Sequence, residues 1–114
     1  MDTTGFIVIY VTTPTSDEAA KIARSLVERR QAACVNVIAG ATSYYRWKGC
    51  SRQDPECLLV IKTRESLFDA VAATVKELTG YSVPEIIALP IVHGTVDILN
   101  WLEEETTGES RKTC

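Results

Sequence analysis

One β-rich stretch, residues 33–47, constrains the fold of this chain more than any other feature. At about 3.3 Å per residue it would extend roughly 50 Å, whereas the first strand of the pattern reaches about half of that. The far end carries Tyr44, Tyr45 and Trp47. An isolated two-stranded ribbon is only marginally stable in water, and exposed aromatic surface needs cover. The sequence therefore predicts an arm that projects beyond its own sheet and packs on another subunit.

The other elements follow from the hydrophobic periodicity of the chain. Predicted strands cover residues 6–11, 57–63 and 83–89, and predicted helices cover residues 15–30, 67–78 and a short segment around 98–102. Thr15 and Glu18 fit a capping box at the start of the first helix, Gly40 marks a bend or bulge, and Gly80 ends the second helix. The order β-α-β-β-α-β predicts an α+β fold, a ferredoxin-like sandwich with an extended β-hairpin and an added C-terminal helix.

The length of 114 residues is that of a single domain. Hydrophobic residues make up 46% of the chain and charged residues 24%, which is typical of an ordered globular protein. We expect one domain over residues 1–105. The polar segment 106–114 has no apolar anchor and is predicted to be a disordered tail.

The charge balance argues against two classes of partner. Twelve Lys and Arg oppose 15 Asp and Glu, and the pI is near 5.1, so nothing draws the chain to nucleic acid or to an anionic membrane. The predicted third strand also lacks the exposed aromatics with which an RNA-recognition motif stacks bases. No apolar run is long enough to span a bilayer and the N-terminus lacks a secretory signal, so we expect a cytoplasmic protein.

The reactive residue types favour neither a zinc site nor an enzyme. The four cysteines show no C-x-x-C spacing, and there is a single histidine. Cys50 and Cys57 are expected to flank a turn, so a disulfide between them is left open beside the favoured reduced state. The single histidine allows no legible catalytic set, and the loop of residues 12–17 has neither the Gly nor the Arg of an anion-binding cradle. We expect a protein without enzymatic activity.

Several short motifs, in order along the chain, resemble the CutA family of divalent-cation tolerance proteins. They are AACVN at 32–36, TSYYRWKG at 42–49, IKT at 61–63, YSVPEI at 81–86, LP at 89–90, Gly94 and LNWL at 99–102. The resemblance implies a tight trimer built through the long strands, similar to the PII signalling proteins. It also implies a role in tolerance of divalent metals, copper most often, with no agreed catalytic activity. The chain departs from the family at Val11, where some members have a cysteine, and at Thr79, where a histidine is common.

Four residues are candidates for an inter-subunit cleft: Trp47, Lys62, Tyr81 and Glu85. Trp47 and Tyr81 could instead pack at the trimer contact. Glu85 could instead pair with Lys62 at the rim of the sheet. Glu85 and His93 are the candidate ligands for copper or another divalent cation, although a surface position would also explain a lone histidine.

Two functions remain open at this point. The first is a homotrimeric divalent-cation tolerance protein that responds to metal ions and binds copper weakly. The second is a PII-like signalling protein that binds a small molecule in its inter-subunit clefts. Either function allows a further protein partner that the sequence does not identify.

Overall fold

The computed structural model describes residues 3–107 and confirms the predicted α+β class. Within that range, four strands and three α-helices alternate along the chain. They are β1 (Phe6–Thr13), α1 (Ser16–Glu28), β2 (Cys34–Trp47), β3 (Cys50–Arg64), α2 (Phe68–Leu78), β4 (Ile86–Pro90) and α3 (Val96–Glu105), with a 3-10 turn at Glu65–Leu67 before α2. The fourth strand starts three residues later than predicted, so Pro84 and Glu85 lie in the loop before it.

The strands form one antiparallel sheet in the order β2-β3-β1-β4. Side chains alternate along β1, and its odd-numbered members from Ile7 to Thr13 are buried. They share one core with Ile22 and Leu26 of α1 and with Val71 and Val75 of α2. Both helices therefore cover the same face of the sheet, because that face carries the period-two apolar pattern of the central strand.

The opposite face of the sheet, here called the open face, is also apolar. It carries Val8 and Tyr10 of β1, which lie opposite Leu89 and Ile87 of β4 in the strand register. Ile87 is 53% exposed and Leu89 is 46% exposed. Strands that are apolar on both faces are typical of sheets with both faces covered.

Helix α1 begins at the predicted cap, but only half of the capping box forms. The Thr15 hydroxyl accepts a hydrogen bond from the Glu18 backbone N–H at 3.2 Å. The Glu18 carboxylate accepts instead from the backbone N–H of Gly80, just after α2. Helix α2 ends at Leu78, two residues before the Gly80 that the sequence placed at its end, and the backbone of the following Thr79 is extended. Glu18 thus links the start of α1 to the loop that follows α2.

The hairpin turn between β2 and β3 differs from the prediction. Lys48 and Gly49 form a two-residue turn, and both have positive φ angles, of 51° and 81°. Such a turn matches the twist of an antiparallel pair, so pairing starts at once, with Trp47 opposite Cys50. The sequence placed a turn over 49–55 and a strand from 57, whereas β3 has 15 residues and starts at Cys50.

The longer strand β3 excludes the disulfide that the sequence left open. Cys50 and Cys57 lie on the same strand, seven positions and therefore about 23 Å apart, which is too far for a bridge. Cys50 is exposed and Cys57 is buried, and both are free. The idea that these two cysteines approach each other across a hairpin was wrong, because they do not flank the turn.

The hairpin extends beyond the rest of the sheet, as predicted. Strand β1 pairs with β3 only as far as Cys57, so residues 41–47 and 50–56 pair only with each other. We call these two segments the ribbon. The packing of the ribbon on another subunit stays a prediction.

A β-bulge at the base of the ribbon confirms the bend predicted at Gly40. The register passes from Ile38 opposite Leu58 to Ala41 opposite Glu56, so β2 contains one extra residue. Gly40 has a φ of 84°, which only glycine adopts without strain. Because side chains alternate with period two, the extra residue reverses the alternation of β2 and turns Tyr45 and Trp47 to the open face.

The end of α3 is held against β3. The Thr106 side chain, placed by the sequence in a disordered tail, is only 3% exposed. Its hydroxyl accepts from Arg64 Nε at 2.9 Å and donates to the Leu102 carbonyl at 2.6 Å. Residues 108–114 of the predicted tail lie outside the described residues.

Candidate ligand cleft

A cleft of about 590 Å³ lies where the ribbon leaves the sheet. The ribbon forms one wall, the loop of residues 79–85 forms another, and Thr12 near the end of β1 lies at its base. Its main lining side chains are Tyr45, Trp47, Arg52, Glu56, Tyr81 and Glu85. Aromatic rings and convergent charged groups in one concavity are typical of small-molecule sites.

Three of the four predicted cleft residues come together here, namely Trp47, Tyr81 and Glu85. Lys62 does not line this cleft. It lies six positions along β3 from Glu56, about 20 Å away, and its amine donates to Asn36 Oδ1 at 2.8 Å. The alternative pairing of Lys62 with Glu85 is absent within residues 3–107.

Tyr81 links the loop to the ribbon. Its hydroxyl donates a 2.5 Å hydrogen bond to Glu56 Oε2, and the side chain is half-buried. Burial raises the pKa of Tyr81 above its ordinary value, and the hydrogen bond to Glu56 and the negative charge of Glu56 raise it further. The phenol is therefore a proton donor throughout the physiological range, and it holds the Glu56 carboxylate in the cleft.

A second phenol–carboxylate pair lies within the ribbon itself. The Tyr45 hydroxyl donates to Asp54 Oδ2, diagonally across the two strands. This hydrogen bond is the main cause that raises the pKa of Tyr45. Tyr45 and Tyr81 thus each donate a hydrogen bond to a carboxylate, that of Asp54 and that of Glu56 respectively.

The remaining charges of the cleft have no partner within residues 3–107. Neither Arg52 nor Glu85 makes a side-chain hydrogen bond or an ion pair in that range. The lining thus holds two carboxylates, those of Glu56 and Glu85, and one guanidinium, that of Arg52, so the cleft is negatively charged on balance. Trp47 already lies near a cation, because Lys48 Nζ is 6.0 Å from the centroid of its ring.

The two predicted metal ligands are not brought together within one chain. Glu85 precedes β4 and His93 follows it, so the five-residue strand separates them by about 17 Å or more. Over residues 3–107, no three or more His, Cys, Asp or Glu side chains are grouped so that they could hold a metal ion. The donor set of a single chain therefore does not fit a bound divalent cation.

Sequence reasoning missed three of the six main lining side chains: Tyr45 as a cleft residue, Arg52 and Glu56. Arg52 fell in a segment that was interpreted as a turn, and Glu56 lay between that turn and the predicted third strand. The alternation of charged residues at Arg52, Asp54 and Glu56 is a period-two signal that would have placed them on one face of a strand. In the described part of the chain, no helix is long and apolar enough to cross a membrane.

The fold and the cleft define a small α+β protein whose charged and aromatic groups gather where a long ribbon leaves a four-stranded sheet. The CutA1 divalent ion tolerance protein family matches residues 7–105 of the chain. The chain belongs to this family.

Individual relatives agree with this assignment. The divalent-cation tolerance protein CutA of Thermus thermophilus is 48% identical over 99 residues, which cover 87% of this chain and 96% of that protein. The chloroplastic protein CutA 1 of Oryza sativa is 47% identical over 100 residues, 88% of this chain but only 56% of the rice protein. The crystal structure of CutA1 from Oryza sativa superposes with a TM-score of 0.87 at 46% identity, over 91% of this chain and 95% of that one.

Proposed function

We propose that this chain acts in divalent-cation tolerance as a homotrimer, without catalysing a reaction and in the cytoplasm. The family supplies the general role. The main support for the trimer is the apolar open face, where Ile38, Ile87 and Leu89 are each 46–53% exposed in the single chain. The residues paired with these three on the neighbouring strands are also apolar, so the exposed patch is continuous across the sheet.

The strand order β2-β3-β1-β4 supports a ferredoxin-like sandwich, and three such sheets joined by their open faces would give a PII-like trimer. Each ribbon would then lie against a neighbouring subunit, so the cleft at its base would open between two subunits. Light scattering on the purified protein tests the assembly. A mass near three times 12.6 kDa is expected, and a mass near 12.6 kDa would contradict the trimer.

The metal role that we propose is weak binding of copper or another divalent cation. Glu85 and His93 supply one carboxylate and one imidazole per chain, so a site of useful affinity requires donors from more than one subunit. Isothermal titration with copper tests this assignment. Binding should be weaker in a double variant, Glu85→Ala with His93→Ala, and equal binding by wild type and variant would show that these residues are not the ligands.

A second candidate function is a signalling role in which the cleft binds a small molecule. The cleft volume of about 590 Å³ and the convergence of two phenol–carboxylate pairs favour this function. Trp47 lies in the lining, so in a Trp101→Phe variant, which removes the other tryptophan, its fluorescence is a direct probe of occupancy. Titration with nucleotides and with cationic metabolites should change that emission, and a flat response to every probe would argue against a ligand site.

A further inference from the structure

We propose that the cleft binds a small organic cation, an ammonium group held between the rings of Tyr45 and Tyr81 and the carboxylates of Glu56 and Glu85. This inference rests on the proposed role of the cleft as a ligand site, and it assigns the chemical class of the ligand.

The first argument is the aromatic wall. Tyr45 belongs to β2 and Tyr81 to the loop after α2, and both line the same cavity with Trp47 further out along the ribbon. Aromatic side chains from two separate elements thus line one cavity. A quaternary or alkylated ammonium gains cation–π attraction from aromatic surfaces and sheds its weak hydration easily.

The second argument is the position of the carboxylates. Glu56 uses one oxygen to accept from Tyr81, and Asp54 uses one to accept from Tyr45. The second oxygen of each has no partner within residues 3–107, and the Glu85 carboxylate has none in the same range. Tyr81 therefore holds Glu56 in place, and Glu56 and Glu85, which both line the cleft, leave negative charge directed at the cavity.

The third argument is that the positive and negative side chains lie at different ends of the cleft. Arg52 is the positively charged residue that lines the cleft, and it lies opposite Tyr45 on the outer part of the ribbon. Glu56 is four positions further along β3, about 13 Å away, toward the sheet and the loop. The inner end of the cleft is thus acidic and aromatic, which excludes a phosphate or carboxylate group from that end.

A divalent metal ion fits the inner end less well than an organic cation does. Calcium and magnesium need six or more converging oxygens, and copper prefers imidazole or thiolate ligands. The described residues contain no group of three or more metal-binding side chains. Aromatic walls offer no donor atoms to a hydrated metal ion, whereas they complement the alkyl groups of an organic ammonium ion.

Choline and 3,3-dimethylbutan-1-ol form a matched pair of probes, because they share size and shape and differ in the positive charge. Calorimetric titration of the wild-type protein should show choline binding at least about tenfold tighter than the neutral alcohol. Glu85→Gln should weaken choline binding about threefold to tenfold. Glu28→Gln, which removes an exposed carboxylate at the end of α1, should leave it unchanged.

Equal binding of choline and the neutral alcohol, or equal choline affinity in wild type and Glu85→Gln, would overturn the inference. So would displacement of choline by an equimolar amount of magnesium. If ATP changes the Trp47 emission while choline shows no preference over the alcohol, the cleft remains a ligand site and only its assignment to cations is wrong. If neither ATP nor choline binds, the cleft is not a ligand site and both proposals fail.

Discussion

The Tyr81 hydroxyl donates to Glu56 Oε2 at 2.5 Å, and this bond joins two residues that are 25 positions apart in the chain. It connects the loop after α2 to the first paired residues of the ribbon, since Glu56 lies opposite Ala41 at the bulge. The geometry of the cleft therefore depends on a single phenol–carboxylate contact between its two walls.

Removal of the Tyr81 hydroxyl should weaken this connection. Tyr81→Phe keeps the ring but leaves the Glu56 oxygen without its donor, which should reduce the free energy of unfolding by about 0.5–1.5 kcal/mol, since water reaches the half-buried carboxylate. Urea denaturation measures the change. Tyr44→Phe is the matched control, because Tyr44 is 74% exposed, and it should alter stability by less than about 0.5 kcal/mol. A Tyr81→Phe protein as stable as the wild type would contradict the structural role of the bond.

The same bond predicts a loss of stability in alkaline solution. Because the pKa of Tyr81 is raised in the folded state, its contribution is complete below the ordinary tyrosine pKa of about 10 and declines as the pH rises above that value. Absorbance at 295 nm should show two tyrosines, Tyr45 and Tyr81, that ionise at higher pH than an exposed phenol. One of these two late components should disappear in Tyr81→Phe. If the absorbance titrations of wild type and variant differ only by a tyrosine of ordinary pKa, the hydrogen bond to Glu56 does not persist in solution.

The bulge at Gly40 should depend on its positive φ angle. Gly40→Ala meets no atom within 4 Å, so its effect comes from backbone strain alone and should destabilise the protein by about 1 kcal/mol. Gly80→Ala is the control, because its φ lies outside the left-handed region and its added Cβ would contact Glu18 Oε1 at an ordinary 3.5 Å. Chemical denaturation of both variants measures the difference. Equal stability of Gly40→Ala and wild type would mean that the bulge does not require a left-handed residue.

Charge on the open face should separate the subunits. Leu89→Asp places a carboxylate at a side chain that is 46% exposed in the single chain and that lies opposite Val8. Its desolvation in a subunit contact is strongly unfavourable, so the mass measured by light scattering should fall toward 12.6 kDa. Val27→Asp, equally exposed at 46% but on α1, should keep the mass of the wild type. If Leu89→Asp keeps the wild-type mass as well, the open face is not the contact between subunits.

The agreement between sequence and structure is best where a signal is local. The apolar spacing of Ile22 and Leu26 places α1 correctly, and the Thr15 cap marks its start. The continuous apolar run from Phe6 to Val11 places β1 as a strand. These features depend on the period of a single element, so they can be derived without knowledge of the partners.

The hairpin shows where local signals fail. Pro55 and the polar residues around it are typical of a turn, yet they lie in β3 because Lys48 and Gly49 make the turn and the strands pair from Trp47 onward. Pairing between strands overrides the weak local preference for a loop. The Cys50–Cys57 disulfide, which the sequence had left open beside the favoured reduced state, is excluded for the same reason.

The sequence by itself determined the element order, the family and the long second strand. Only the tertiary structure decided which side chains line the cleft, because that depends on strand register rather than on residue type. One extra residue at Gly40 reverses the side-chain alternation of β2, so Tyr45 and Trp47 turn toward Tyr81. Side chains repeat every two residues along a strand, and a shift of one position therefore exchanges the two faces completely.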